Sequence, residues 1–247
     1  MKAKSPTEIE SMRQGGRKLA AILNMLAGKV TPGATPKDIS RLALSQIKKE
    51  GMQPVVLGYQ GFPDVMCVSV NEAIVHGVPQ GKSFKSGDVV KLDLTLGFQG
   101  LVVDSALTVI VGEGSADSRR LVEGTRKALH EGISAISGDG TRIGDIGSAI
   151  QNCLQKNKLG IIRDLVGHGV GYGIHEDPNI PNYGVAGTGS TLFTGMTIAI
   201  EPMASLGDWH VSSLKDGTVV MADGSLGAHF EHTVLITDDG AEILTLI

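Results

Sequence analysis

The chain has 247 residues, 41% of them hydrophobic and 19% charged, with a formal net charge of -4 at pH 7. This is ample apolar content for a large folded core, and the 22 Lys and Arg are dispersed without forming a basic stripe, which argues against nucleic acid as a direct ligand. No apolar run approaches the ~18 residues that span a bilayer, and no apolar leader core follows the basic start of the chain.

The predicted elements begin with Ser5-Pro6-Thr7-Glu8, a capping box with proline at the first helical position, behind which Ile9, Met12, Leu19, Leu23 and Leu26 form an apolar stripe. After the breaker Thr31-Pro32-Gly33, the start signal recurs as Thr35-Pro36-Lys37-Asp38. Ile39, Leu42, Ala43 and Ile47 then carry a second helix that Gly51 can end. Strand-like runs follow at 65–75, 89–96 and 101–111. Leu121, Val122, Ala128, Leu129, Ile133 and Ile136 predict a third helix, the loop at 138–141 breaks it, and a fourth runs over 143–157. Further strand runs lie at 197–200 and 229–237.

Each half reads as two helices and a set of strands, and the halves match in detail. Residues 87–93 (GDVVKLD) stand 108 positions before 195–201 (GMTIAIE), and the same offset sets Gln60-Gly61 on His168-Gly169. At an offset of 107, Asp38 falls on Asp145, Ile47 on Leu154 and Lys49 on Lys156. With no Pro- or Ser-rich linker between them, the halves, about 1–115 and 116–247, are expected to fuse into one α+β domain around a central sheet. The two cysteines, Cys67 and Cys153, are too few for a four-thiolate zinc site and suit a reducing compartment, so the cytoplasm is the expected location.

Acidic residues recur at matching strand positions. Asp93 alternates with leucines in a period-two pattern, and on its own it reads as a carboxylate facing water. Asp104 makes a second reading necessary. A hairpin through residues 97–100, centred between Phe98 and Gln99, pairs 93 with 104, and paired residues point to one face with Cβ atoms about 4.5–5.5 Å apart. Carboxylates that close need a shared proton or a cation, and a pair of divalent ions roughly 3.5–4 Å apart fits the spacing. Glu201 and Glu231 adjoin apolar strand residues with no Arg or Lys nearby before Lys215, so cation compensation is expected there as well. His168, in the glycine-rich loop 167–173, is the imidazole within reach. Four carboxylates with one imidazole and no thiolate suit Mn(II), Fe(II) or Co(II), with Zn(II) still open, and such a site points to hydrolysis.

Other motifs fail. Residues 77–83 resemble a phosphate-binding loop but are one residue short and lead into a strand. The run at 167–173 lacks the dinucleotide spacing, and no H-E-x-x-H occurs.

The words around these residues are similar to those of the type I methionine aminopeptidases, the pita-bread metallopeptidase family. They are Ser69-Val70-Asn71-Glu72 through His76-Gly77-Val78-Pro79, Gly167-His168-Gly169-Val170-Gly171, Ile174-His175-Glu176, Ile200-Glu201-Pro202-Met203 and Phe230-Glu231-His232-Thr233. The resemblance covers essentially the whole chain. It implies the pita-bread fold and a site of two divalent ions (Co, Mn, Fe(II) or Zn) bridged by Asp104 and Glu231. Asp93 would complete one ion, and His168 with Glu201 the other.

It further implies removal of N-terminal methionine from peptides and nascent polypeptides, with a metal-bridging hydroxide as nucleophile. Glu201 would handle the proton, His76 the scissile amide and His175 the carbonyl oxygen; from its own surroundings, His76 reads equally as a strand-end histidine bonded to backbone. Tyr59, Phe62 and Cys67 would line the methionine pocket. The expected setting is a monomer in the cytoplasm, with the ribosome as a candidate contact. An X-Pro peptidase of the same fold is the alternative activity, although those enzymes typically carry an additional N-terminal domain. A non-catalytic pita-bread binding protein is the alternative class, although such relatives usually lose metal ligands.

Three departures bear on the pocket. Ile174 stands where an aromatic residue is frequent, and Thr218 stands where a tryptophan commonly follows Lys-Asp-Gly, the only Trp being Trp209. Leu101-Val102-Val103 precedes Asp104 where a glycine is usual.

Overall fold

Helices begin where their capping signals stand. In the computed structural model, which describes residues 2–246, α1 (Pro6–Ala27) starts behind Ser5, whose hydroxyl accepts from Glu8 N while Glu8 Oε2 accepts from Ser5 N at 2.7 Å. Thr35 and Asp38 close α2 (Pro36–Lys49) in the same way, and Gly51 ends it with φ 66°. The second pair is α3 (Ala116–Ser134) and α4 (Ile143–Lys156). α2 and α4 each hold 14 residues and begin and end 107 positions apart (143 − 36, 156 − 49), and Asp38 and Asp145 both reach back to the backbone N–H of the capping residue. Leu42 is 38% exposed, contrary to expectation. At about 100° per residue, 39, 40, 43 and 47 cluster on one face and 42 falls outside it, so Ser40 is buried in its place.

Nine antiparallel strands form the central sheet: β1 (Gln53–Pro54), β2 (Cys67–Val70), β3 (Val89–Phe98), β4 (Leu101–Ile110), β5 (Gly167–Gly169), β6 (Glu176–Ile180), β7 (Thr197–Ile200), β8 (Glu231–Ile236) and β9 (Ala241–Ile243). Their order is β1-β3-β4-β8-β7-β5-β6, with β2 added to β3 and β9 to β8. Leu92, Leu94 and Leu96 pack beneath α1 and α2 against Met12, Leu19 and Ile39. Ile198, Ile200, Val234 and Ile236 pack with Leu121, Leu129, Ile146 and Ile150 of α3 and α4. The helices thus cover one face of the sheet, and period-two alternation sends Asp93, Thr95 and Asp104 to the other. Two three-stranded sheets flank this second face, one of Gly160–Ile161, Met203–Ser205 and Gly227–His229, the other of Ala73–Val75, Val211–Ser213 and Val219–Met221. Among the described residues no helix is long and apolar enough to cross a membrane.

The β3–β4 hairpin corrects the expected register. Its turn is Gln99-Gly100, with φ 50° and 80°, the two positive values that a type I′ turn requires and that match strand twist. Phe98 therefore faces Leu101, Asp93 faces Ala106, and Asp104 faces Thr95. Moving the centre by one residue moves each partner by two, so Asp93 and Asp104 stay on one face as diagonal neighbours instead of a direct pair.

The duplication is visible in the backbone. Gly87 N donates to Val111 O at 2.8 Å and Val111 N to Asp88 O at 2.8 Å; Gly195 N donates to Ile236 O at 3.0 Å and Ile236 N to Met196 O at 2.8 Å. β3 thus maps onto β7 with offset 108 (195 − 87) and β4 onto β8 with offset 125 (236 − 111). Ala106 and Glu231 are then equivalent, and they pair directly across β4 and β8, on the pseudo-twofold axis. Two threonines flank that axis symmetrically. Thr233 Oγ1 donates to Asp104 O at 2.8 Å and accepts from Asp104 N at 2.9 Å, and its counterpart Thr108 does the same to His229, at 2.6 and 3.0 Å. The expected match of Gln60 with His168 fails. Gln60 lies in the turn Tyr59–Gly61, while His168 faces Ala199 as Ser69 faces Lys91, which makes Ser69 the true counterpart.

The hairpin turn yields a stability prediction. Gly100→Val, at a site with φ 80° and open space around the missing Cβ, should lower stability by about 1–2 kcal/mol in urea titration, whereas Gln99→Gly should leave it unchanged or raise it.

Candidate metal centre

Asp93 and Asp104 come from the β3–β4 hairpin, Glu201 from the residue that follows β7, Glu231 from the first position of β8, and His168 from β5. The register brings all five to the face of the sheet opposite the helices. Ligand atoms of Asp104, His168 and Glu231 lie within 4.8 Å of one another, and His168 Nε2 is 3.6 Å from Glu201 Oε1. Thr95 Oγ1 donates to Asp104 Oδ1 at 2.9 Å. The constellation predicted from the sequence therefore assembles, with one change. His168 is a strand residue and not a loop residue, because the glycine before it is there for close packing: a Cβ at 167 would collide with the Ala199 carbonyl. Its Nδ1 lies 3.0 Å from Gly169 O, which leaves Nε2 facing the site.

A sixth polar side chain belongs to the cluster and was missed from the sequence. His229 is 2% exposed, and its Nε2 stands 3.3 Å from Glu201 Oε2 and 4.0 Å from Glu231 Oε2. One signal in the sequence pointed to it, and the fold adds a second. Residues 229 and 231 share a face in extended backbone, and the 125-residue offset makes His229 the counterpart of Asp104.

Crowding and burial dominate the electrostatics. Desolvation, with repulsion from Asp104, pushes Asp93 up to about 7. Desolvation likewise pushes Glu201 up to about 8, Asp104 adding to the shift and His168 opposing it. Burial raises Asp104 and raises Glu231 further, the latter with help from Asp104, Glu201 and Asp93. Burial also lowers His229. No Lys or Arg stands within ion-pair distance of these four carboxylates among the described residues. Among the described residues, Glu231 Oε1 and both ring nitrogens of His229 are buried without a hydrogen-bond partner. Buried, crowded acceptors with no protein cation fit divalent metal ions, and the mostly oxygen donor set suits hard or borderline ones.

The cluster closes one end of a cavity of about 940 Å³, also lined by His76, His175, Tyr59, Phe62, Cys67 and Ile174. Cys67 is buried opposite Asp93, and burial beside that carboxylate raises its thiol well above the usual range. His175 stands edge-on to His168 at 4.6 Å between centroids, and its Nδ1 is 3.1 Å from the Tyr59 hydroxyl. Partial burial, then His168 and His76, push His175 down to about 4, so the ring is neutral at neutral pH. His76 takes φ 57°, and burial lowers it too. Thr218 donates to the His76 carbonyl at 3.4 Å, so its small side chain contacts backbone at the position where a larger ring was the expectation. Trp209 lies elsewhere, stacked on His210 at 3.8 Å. Of the run before Asp104, Val102 packs with Val170 and Ala199, while Leu101 and Val103 join the core under α1 and α2.

Metal removal has a definite pH signature. In the metal-free protein the raised carboxylates hold protons that the unfolded chain releases near pH 4. Stability should therefore be highest at or below that pH with respect to these groups and fall as pH rises through 7 and 8. Calorimetry of chelator-treated protein should show Tm decreasing across this window, and Mn(II) or Co(II) added at pH 7.5 should raise Tm and release protons.

Comparison with known proteins agrees with this geometry. Residues 10–238 match the model of metallopeptidase family M24. The chain is 42% identical over 245 residues to a methionine aminopeptidase of Clostridium perfringens, covering 99% of this chain and 98% of that protein. Identity to methionine aminopeptidase 1 of Bacillus subtilis is 41%, with the same coverage. The crystal structure of the methionine aminopeptidase from Thermotoga maritima superposes with a TM-score of 0.97 at 47% identity, covering 100% of both chains. The prolidase from Pyrococcus furiosus shares the fold at a TM-score of 0.79 and 23% identity, but 99% of this chain covers only 65% of it. The chain belongs to metallopeptidase family M24, and its fold is the pita-bread fold of that family.

Proposed function

We propose that this chain is a metal-dependent aminopeptidase that hydrolyses the N-terminal methionine from peptides and nascent polypeptides. The observation that carries the reading is the convergence of Asp93, Asp104, His168, Glu201 and Glu231 at one end of a cavity whose walls include Tyr59, Phe62, Cys67 and Ile174. In this reading Asp93, Asp104, His168, Glu201 and Glu231 would hold two divalent ions. The ions, when bound, supply an activated water and a Lewis acid for the carbonyl.

The protein supplies position and proton transfer. Glu201 takes a proton from the attacking water on its carboxylate and passes it to the leaving nitrogen. With the Tyr59 hydroxyl, 3.1 Å from His175 Nδ1, as donor in this reading, Nε2–H is left to donate to the carbonyl oxygen as negative charge develops there. His76 contacts the scissile amide. Tyr59, Phe62 and Cys67 enclose the methionine side chain, whose unbranched thioether suits an apolar wall. The two free, buried cysteines support a reducing compartment. The reading is completed by one catalytic domain over 1–247 that works as a monomer in the cytoplasm, with the ribosome as the place where substrate chains emerge.

Chelator-treated protein reloaded with Co(II) or Mn(II) should cleave Met-Gly peptides and leave X-Pro peptides intact; cleavage of X-Pro peptides alone would overturn the specificity. Asp104→Ala should lose metal stoichiometry and reduce kcat/KM by well over the roughly 10–100-fold typical of outer-shell changes. His175→Ala should lower kcat about 100-fold or more, with metal content and Tm unchanged.

A further inference from the structure

We infer that His229 is a positioning residue of the metal centre, donating an Nε2–H hydrogen bond to Glu201 Oε2 and so reserving Glu201 Oε1 for the ion held with His168. This rests on the metal site proposed above but assigns a residue outside the five-ligand set.

Three observations carry it. First, the side chain is 2% exposed and aimed into the site, with Nε2 3.3 Å from Glu201 Oε2 and 4.0 Å from Glu231 Oε2. Second, its place in the fold is not incidental. Thr108 clasps the His229 backbone through both N–H and C=O as Thr233 clasps Asp104, so the second half presents His229 where the first half presents a carboxylate. Third, the two ring nitrogens distinguish a donor from a ligand. Histidines that bind a metal nearly always pass their other N–H to an acceptor, as His168 does with Nδ1 3.0 Å from Gly169 O. Neither ring nitrogen of His229 makes a hydrogen bond among the described residues, but Nε2 has carboxylate oxygens close by, Glu201 Oε2 at 3.3 Å and Glu231 Oε2 at 4.0 Å, whereas Nδ1 has no such acceptor. The proton therefore belongs on Nε2, which faces carboxylate oxygens. Glu201 is thereby divided, with Oε1 3.6 Å from His168 Nε2 and Oε2 turned to His229.

The test compares His229→Gln, whose amide N–H can replace Nε2–H, with His229→Met, which fills the space without a donor. Each purified full chain is stripped, checked for Tm and circular dichroism, and titrated with Co(II) by calorimetry and visible absorption. His229→Met should bind the second Co(II) about 10–100-fold more weakly, with an altered d–d spectrum, and lose kcat more than KM rises. His229→Gln should recover most of both the affinity and the spectrum. Wild-type Co(II) affinity and spectrum in His229→Met would overturn the inference. So would failure of His229→Gln to rescue a folded protein, which would make His229 a ligand. If the unmutated chain took up no Co(II), the metal centre itself would fall, a result distinct from either.

Discussion

Four carboxylates held on one face of a twisted sheet, without a protein cation among them, are the constraint on which the rest of the molecule depends. Asp93, Asp104, Glu201 and Glu231 crowd one another in a desolvated space, and burial pushes each upward, with repulsion adding to it at Asp93, Glu201 and Glu231. Unaided, such a cluster would spread or protonate. It stays together because the strands that carry it are pinned from behind: Leu92, Leu94 and Leu96 under α1 and α2, and Ile198, Ile200, Val234 and Ile236 against the residues of α3 and α4. The apolar half of each strand thus holds the polar half in an arrangement that protons or bound cations must neutralise.

Much of this was legible in the sequence because it is written in local chemistry. The capping signals at Ser5 and Thr35, the helical stripes and the repeated 87–93 and 195–201 segments each depend on residues near in the chain, and all appear in the structure. The five ligand candidates were legible because a carboxylate inside an apolar strand is costly to bury unless a cation compensates it. What escaped depends on pairing at a distance or on backbone geometry. The turn at Gln99-Gly100 is set by positive φ values that a run of Gly97 to Gly100 leaves ambiguous. Gly167 and Gly169 look like loop glycines, yet they belong to a strand in which Gly167 admits the Ala199 carbonyl. Gln60 matched His168 by offset alone, since the second half has nine more residues between His168 and Gly195 than the first has between Ser69 and Gly87 (27 − 18), which displaces the real counterpart, Ser69.

The corrected mapping changes how the site's asymmetry is understood. Ser69 opposite His168 means that the first half lacks an imidazole at that strand position, and its hydroxyl accepts from Gly77 N at 3.0 Å instead. Asp104 opposite His229 exchanges an anion for a neutral ring. Among the candidate ligands, Asp93 and Glu201 keep the same chemistry at the same place. The electrostatic environments of the two halves therefore differ by more than a single residue.

The Thr108 and Thr233 clasps, with Ala106 paired to Glu231 between them, have the pattern of an isologous interface, in which residue i of one copy meets residue j of the other and the reverse. A homodimer with that interface would be bound by its symmetry. It would place two alanines or two glutamates at the axis, and two aspartates or two histidines beside it. Covalent fusion keeps the seam and lifts the restriction, so one glutamate can reach across the centre into the space its alanine counterpart leaves free.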